Sequence, residues 1–135
     1  MQRSIIAVIA GFVLTFALNM GTSFGLAALS PAFSARPLTD PAWLIGICAY
    51  VGVFGIVGCY VTARLAPSRP LLHALIMGGI ALAMSIPMTI SMWNDAPAWF
   101  NVYNLLAVMP YAWIGGTLRE RELVRAGHGR LAAAS

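Results

Sequence analysis

The chain has 135 residues, of which 60% are hydrophobic and 9% charged, and its mean hydropathy is +0.83. Soluble domains carry about 25% charged residues, so this composition excludes a soluble enzyme, a disordered chain and a nucleic-acid binder. The net charge of +4 comes from eight arginines against four acids. The arginines stand between apolar blocks, where membrane topology accounts for them better than a nucleic-acid partner does.

Four apolar blocks follow one another at about 4–29, 42–65, 71–93 and 98–118. None holds an acidic or basic residue before its last few positions. Each reaches the roughly 20 residues that cross about 30 Å of hydrocarbon. The expected fold is an all-α membrane protein: four transmembrane helices in an antiparallel up-down bundle covering residues 1–118, with an Arg/Glu-rich tail at 119–135. Read as a cleaved leader, the first block would end near Ala32-Phe33-Ser34. Its apolar region is too long for that, since leaders use about 7–15 residues. A retained helix is expected, tilted or broken near Gly21–Gly25.

The loops set an orientation. Arg3, Arg64, Arg69, Arg119, Arg121, Arg125 and Arg130 fall on one side of a four-span layout, and Arg36 alone on the other. By the positive-inside rule both termini are cytoplasmic. Trp43, Trp93 and Trp99 then sit at outer ends, as an aromatic belt requires. The 30–41 loop, with three prolines, reads as an irregular outer cap, and 65–70 as a tight cytoplasmic turn between Pro67 and Pro70. In the tail, Arg119/Glu122 and Glu122/Arg125 are i,i+3 pairs that extend the fourth helix until Gly127 and Gly129 end it. The final residues are expected to be disordered.

Helices associate in lipid through small residues that let backbones touch. The second block carries Cys48, Gly52, Gly55, Cys59, Thr62 and Ala66; the third carries Ala74, Gly78, Ala81 and Ser85. These two seams predict that the second and third helices form the closest pair. Ala17, Gly21 and Gly25 make a similar row on the first helix, and Ala112 and Gly116 one on the fourth. Cys48 and Cys59 lie 11 positions apart on one helix, about 16 Å, too far for a disulfide.

No Ser/His/Asp set, metal-ligand spacing or carboxylate pair is present, and no Asp, Glu, Lys or Arg lies in a span before its last residues. The expectation is a non-enzymatic protein with no catalytic residues, cofactor or metal. His73 reads as an interfacial residue. Met77, Met84, Met88 and Met92 form one stripe, which suits gap filling more than Cu(I) ligation. Uncharged polar groups are more telling. Asn19 stands about 21 Å up the first helix, with Ser85 and Asn104 near the same level and Thr22, Ser23, Thr89 and Asn101 slightly further out. This candidate polar layer acts either as helix glue or as the wall of a vestibule. A bundle this small is expected to have no lumen of its own.

Two stretches carry a resemblance. One is Tyr60-Val61-Thr62-Ala63-Arg64-Leu65-Ala66-Pro67 with Arg69-Pro70 and His73-Ala74. The other is Trp93, Pro97, Trp99-Phe100, Pro110, Ala112-Trp113 and Gly115-Gly116. Together they resemble a group of small four-helix inner-membrane proteins of Gram-negative bacteria that has no known activity. The resemblance covers the last three spans, departs from the group's Gly-Gly pair at Gly58-Cys59, and implies a fold without a function. The Phe-Ser-Thr-Phe-type filter of the small fluoride channels is not found in this sequence. The resulting expectation is a structural or accessory subunit held in the lipid bilayer. Its contacts with headgroups or with a membrane-protein partner would run through Arg64, Arg69, Arg119, Arg121 and Arg125. The alternative is an oligomeric channel or transporter for a small neutral solute, built on the Asn19/Ser85/Asn104 layer.

Overall fold

The computed structural model describes residues 2–34 and 38–132. Four helices carry the chain: α1 (Gln2–Leu29), α2 (Pro41–Leu65), α3 (Pro70–Ser91) and α4 (Ala98–Ala132). There is no strand among the described residues. α1, α2 and α3 are each long and apolar enough to cross a membrane. α4 is diluted by Asn101, Tyr103, Asn104, Pro110 and Tyr111. It runs past the span predicted for it without a break.

Local chemistry fixes the helix starts. Asp40 caps α2, its Oδ1 accepting from the Ala42 amide at 2.9 Å, and Pro41 follows as the first helical residue. Pro70 opens α3 in the same way, after Arg69 turns the chain at φ 46°. α1 passes through Gly21–Gly25 unbroken, against the expected break, and Gly127 and Gly129 do not end α4. Helical glycine costs only about 1 kcal/mol relative to alanine, so it interrupts a helix only when nothing else favours continuation. The disorder expected after Gly129 is not found at 130–132, which stay helical, and 133–135 lie outside the described residues.

The contacts of the glycines give the directions of the helices. Gly11 lies against Gly58 and Thr62, and Gly58 against Thr15, so α1 and α2 are antiparallel. Gly78 meets Ala112 and Gly116 meets Ala74, so α3 and α4 are antiparallel as well. Gly52 lies under Tyr111 while Gly115 lies on Ile56 and Cys59, so α2 and α4 run parallel. This is an up-down-up-down bundle. One end, the terminal end, holds the start of α1, the end of α4 and the α2–α3 turn. The other, the loop end, holds the α1–α2 and α3–α4 connections.

The expected closest pair is not the one found. α4 lies between α2 and α3 and packs on each more extensively than they pack on one another. The physical reason is in Ala112, Gly115 and Gly116, which have almost no side chain and so admit α4 to backbone contact on both sides. An alanine Cβ at Gly115 would stand 2.7 Å from Ile56 O and 2.8 Å from Tyr60 N. Gly52, Gly55, Cys59, Ala74 and Gly78 of the predicted seams are therefore real contact positions against α4, with Cys59 also reaching Met77 on α3. Thr62 is the exception, fully buried against Gly11 on α1. The Ala17/Gly21/Gly25 row is not a contact row in this chain: all three are exposed, and nothing lies within 4 Å of a Cβ built at either glycine.

The interior is built largely of small side chains, with Cys59, Ala63, Ala74 and Ala112 beside Met77 at its centre. Phe16, Phe24, Ile90 and Leu106 point outward. In water this distribution would be costly, whereas hydrocarbon solvates large apolar groups and leaves close packing to small ones.

Candidate functional site

The loop end is strapped across. The Leu38 amide donates to Asp95 O at 2.7 Å, joining the two connections. Phe33, in a short 3-10 turn (Pro31–Ser34), packs edge-on against Trp43 with ring centroids 5.7 Å apart. The predicted irregular cap is thus partly ordered by an aromatic pair. Asn101 is buried, and its Nδ2 donates to Trp93 O at 3.0 Å, which pins the α3–α4 connection.

Beneath this strap lies a vestibule of about 360 Å³. Its walls include Ser23, Tyr50, Thr89, Asp95, Asn101 and Asn104, from all four helices and the α3–α4 connection. Ser23 Oγ and Tyr50 Oη are hydrogen-bonded at 3.0 Å, linking α1 to α2. Deeper in the bundle is a second cavity of about 180 Å³, enough for about six water molecules at ~30 Å³ each. Asn19, Ser85, Asn104 and Thr15 line it, with Val51, Met77, Ala81, Val108 and Tyr111 supplying apolar surface. Asn104 stands on the wall of both cavities. The bundle thus encloses two cavities, which is distinct from the conducting lumen that a bundle of this size is expected to lack. α4 meets α2 and α3 at glycine and alanine near the terminal end, while Tyr111 and Asn104 hold them apart further along.

Six of the seven residues of the predicted polar layer line one cavity or the other. Asn19 and Ser85 are on the deeper one, Ser23, Thr89 and Asn101 on the vestibule, and Asn104 on both. Thr22 lines neither. The sequence reading missed Tyr50, Thr15, Asp95 and Tyr111. Tyr50 and Tyr111 were legible as polar groups inside apolar blocks. Thr15 is masked by its apolar neighbours, and Asp95 enters only because the loop folds over the bundle.

The hydrogen bonding of the deeper cavity is one-sided. Asn19 Nδ2 donates to Thr15 O at 2.9 Å, and Asn104 Nδ2 donates to Phe100 O at 2.9 Å. Ser85 Oγ donates to Ala81 O at 2.7 Å, and Thr15 Oγ1 donates to Gly11 O at 2.9 Å. Each group spends a donor on the carbonyl one turn back along its own helix, the usual refuge of a short polar side chain in a helix. None of these bonds joins two helices, so the helix-glue reading does not describe them. Asn19 Oδ1 is buried without a protein partner. At the cavity floor the Cys59 thiol donates to Met77 Sδ at 3.3 Å. Both cysteines are free, and no cluster of metal-binding groups exists among the described residues. Met84 and Met88 are exposed, so the methionine stripe does not converge.

The terminal end carries the candidate headgroup or partner contacts. Arg64, Arg69, Arg121 and Arg125 are exposed. Arg119 is bonded to Glu122 at 3.0 Å, as predicted. Glu122 does not reach on to Arg125. It accepts instead from Tyr60 Oη of α2 at 2.9 and 3.0 Å, and Arg64 donates to the same phenol at 3.3 Å. The Tyr60 hydroxyl, followed by Arg119, holds the Glu122 carboxyl below the usual carboxylate range. His73 Nδ1 bonds Arg69 O at 3.1 Å, in keeping with its interfacial reading. No protein-family model, curated protein or solved structure matches this chain.

Proposed function

We propose that this protein is a non-enzymatic integral membrane protein that binds a small polar solute in a pocket open at the loop end. In this reading α4 is a fourth span, the termini and the Arg-rich tail are cytoplasmic, and the loop end faces outward from a bacterial inner membrane. The observation that carries it is a vestibule at the loop end and a deeper cavity that share Asn104 as a wall, the deeper one lined by Asn19, whose Oδ1 is buried without a protein partner. A buried acceptor without a partner costs about 1–3 kcal/mol, and a bound solute or water would recover that. The pocket lies within one bundle, so binding would not require an oligomer.

The test is an Asn104→Cys variant in intact cells, treated with a membrane-impermeant thiol reagent, the label located by mass spectrometry. Labelling of the introduced thiol from outside supports the pocket and its orientation. Complete protection from both sides refutes the pocket, and labelling only in inside-out vesicles refutes the orientation.

A second reading, an accessory subunit, is supported by the unpartnered Ala17/Gly21/Gly25 row on α1, where another helix could approach closely. Native mass spectrometry from mild detergent tests it. A stoichiometric partner lost in Gly21→Leu supports this reading, and a monomer in every preparation refutes it.

A further inference from the structure

We propose that the deeper cavity is a site for a small primary amide, the class of urea and short alkyl carboxamides, an inference that rests on the solute-pocket reading above and narrows it. No charged side chain is among the described residues that line this cavity. An ion held there would lose its hydration with no counter-charge in the wall, a cost that a neutral ligand avoids. Most donors of the lining are already spent. Thr15 and Ser85 donate to carbonyls of their own helices, Cys59 donates to Met77, and the Tyr111 hydroxyl is paired with that of Tyr103 at 2.9 Å. Asn19 and Asn104 differ, because an amide nitrogen carries two N–H groups and each residue has committed only one. One N–H therefore remains on each asparagine.

Acceptors remain beside these donors. Asn19 Oδ1 is buried without a protein partner, and the Ser85 and Thr15 hydroxyl oxygens keep lone pairs after donating. A ligand that satisfies such a wall both donates and accepts through one small group. A primary amide does so, with two N–H donors on its nitrogen and two lone pairs on its oxygen. A ketone accepts only and leaves Asn19 Oδ1 unsatisfied. A primary ammonium donates only and leaves the asparagine N–H groups unsatisfied, and a carboxylate accepts only and brings an unpaired charge. The rest of the wall, with Val51, Ala81 and Val108, is apolar and takes a short alkyl body. Size agrees as well. The cavity of about 180 Å³ holds about six waters at ~30 Å³ each, and an amide with a two-carbon body displaces roughly four of them. Water also donates and accepts, so the experiment must separate an amide from water alone.

The test is a saturation-transfer NMR titration of the full-length protein in lipid nanodiscs, against empty nanodiscs, with four probes of similar size: propionamide, butanone, propylammonium and propionate. Propionamide is expected to bind about tenfold or more tightly than each of the others, since each of them leaves a buried polar group unpaired. Asn19→Leu and Ser85→Ala should each weaken propionamide by about three- to tenfold. Thr22→Val, at a residue that lines neither cavity, should leave it unchanged. The ranking of the probes is read on the unaltered protein, so the proposal does not depend on a variant that fails to fold. Equal or tighter binding of butanone overturns the need for donors, and equal or tighter binding of either ion overturns the neutral class. Propionamide binding unchanged in both Asn19→Leu and Ser85→Ala puts the ligand outside this cavity and overturns the site. If no probe binds while the Asn104→Cys variant is labelled from outside, the cavity holds water only, so the amide falls and the pocket stands. If none binds and that variant is protected from the reagent, both readings fall.

Discussion

Gly115→Ala adds one methyl group at the tightest point between α2 and α4. The new carbon would stand 2.7 Å from Ile56 O, 2.8 Å from Cys59 Cβ and 2.8 Å from Tyr60 N. Two of these atoms are backbone, so no rotamer change relieves them, and the helices must separate by several tenths of an ångström along their whole contact. Overpacking a core costs about 1–3 kcal/mol, and the rigid neighbours place this site at the top of that range. Alanine regains about 1 kcal/mol over glycine in a helix. The net loss is then about 2 kcal/mol. Gly21→Ala makes the same chemical change on α1, where nothing lies within 4 Å. It should gain about 1 kcal/mol from propensity alone. The two variants should therefore differ by about 3 kcal/mol, or about 9–15 °C in midpoint at ~3–5 °C per kcal/mol for a chain of this size. Thermal unfolding in one detergent, followed by far-UV circular dichroism, measures the difference. Equal midpoints for the two variants, or a wild-type midpoint for Gly115→Ala, would refute the placement of α4 in backbone contact with α2.

Two other predictions address the remaining contacts. Gly58→Ala would drive its Cβ into Thr15 Oγ1, with Gly11 O 3.0 Å away, and should destabilise by about 1–3 kcal/mol. Thr15→Ala should recover part of that loss, giving a coupling energy of about 0.5 kcal/mol or more in a double-mutant cycle, and additive losses would separate α1 from α2 at this point. The Glu122 carboxyl is depressed by Tyr60 first and Arg119 second. Its stabilising contribution is therefore present above the ordinary carboxylate range and is lost as pH falls through the lowered value. The thermal midpoint of the wild type in detergent should fall towards that of Glu122→Gln as pH drops through the carboxylate range, and a gap between the two that does not change with pH would refute the Tyr60–Glu122 link.

Much of the architecture was already written in the residue order. Four apolar blocks, Asp40-Pro41 and Arg69-Pro70 fix where the helices begin, because caps and prolines act over one turn and need no distant partner. The depths of Asn19, Ser85 and Asn104 were likewise legible, since rise per residue is constant in a helix and level follows from counting. Which helix each small-residue row would face was not legible. A row of glycines is equally suited to any close neighbour, and Gly52, Gly55 and Gly78 met α4 only because Ala112, Gly115 and Gly116 let it enter between α2 and α3. The same rows on paper made Ala17, Gly21 and Gly25 look like an internal contact, yet they face outward.

The pocket belongs to the same class of fact. Sequence set the level of the polar groups, but packing decided that most of them border a space. Asn19, Ser85 and Asn104 each found a carbonyl one turn back, a local bond always within reach, and do not bond across the deeper cavity. Asp95 lies far from Ser23 along the chain, and only the fold of the α3–α4 connection over the vestibule brings both into one wall. Local rules of helix geometry are additive along the chain and can be read from it. The volume left between helices depends on every side chain at their contacts together, so it exists only once the bundle has closed.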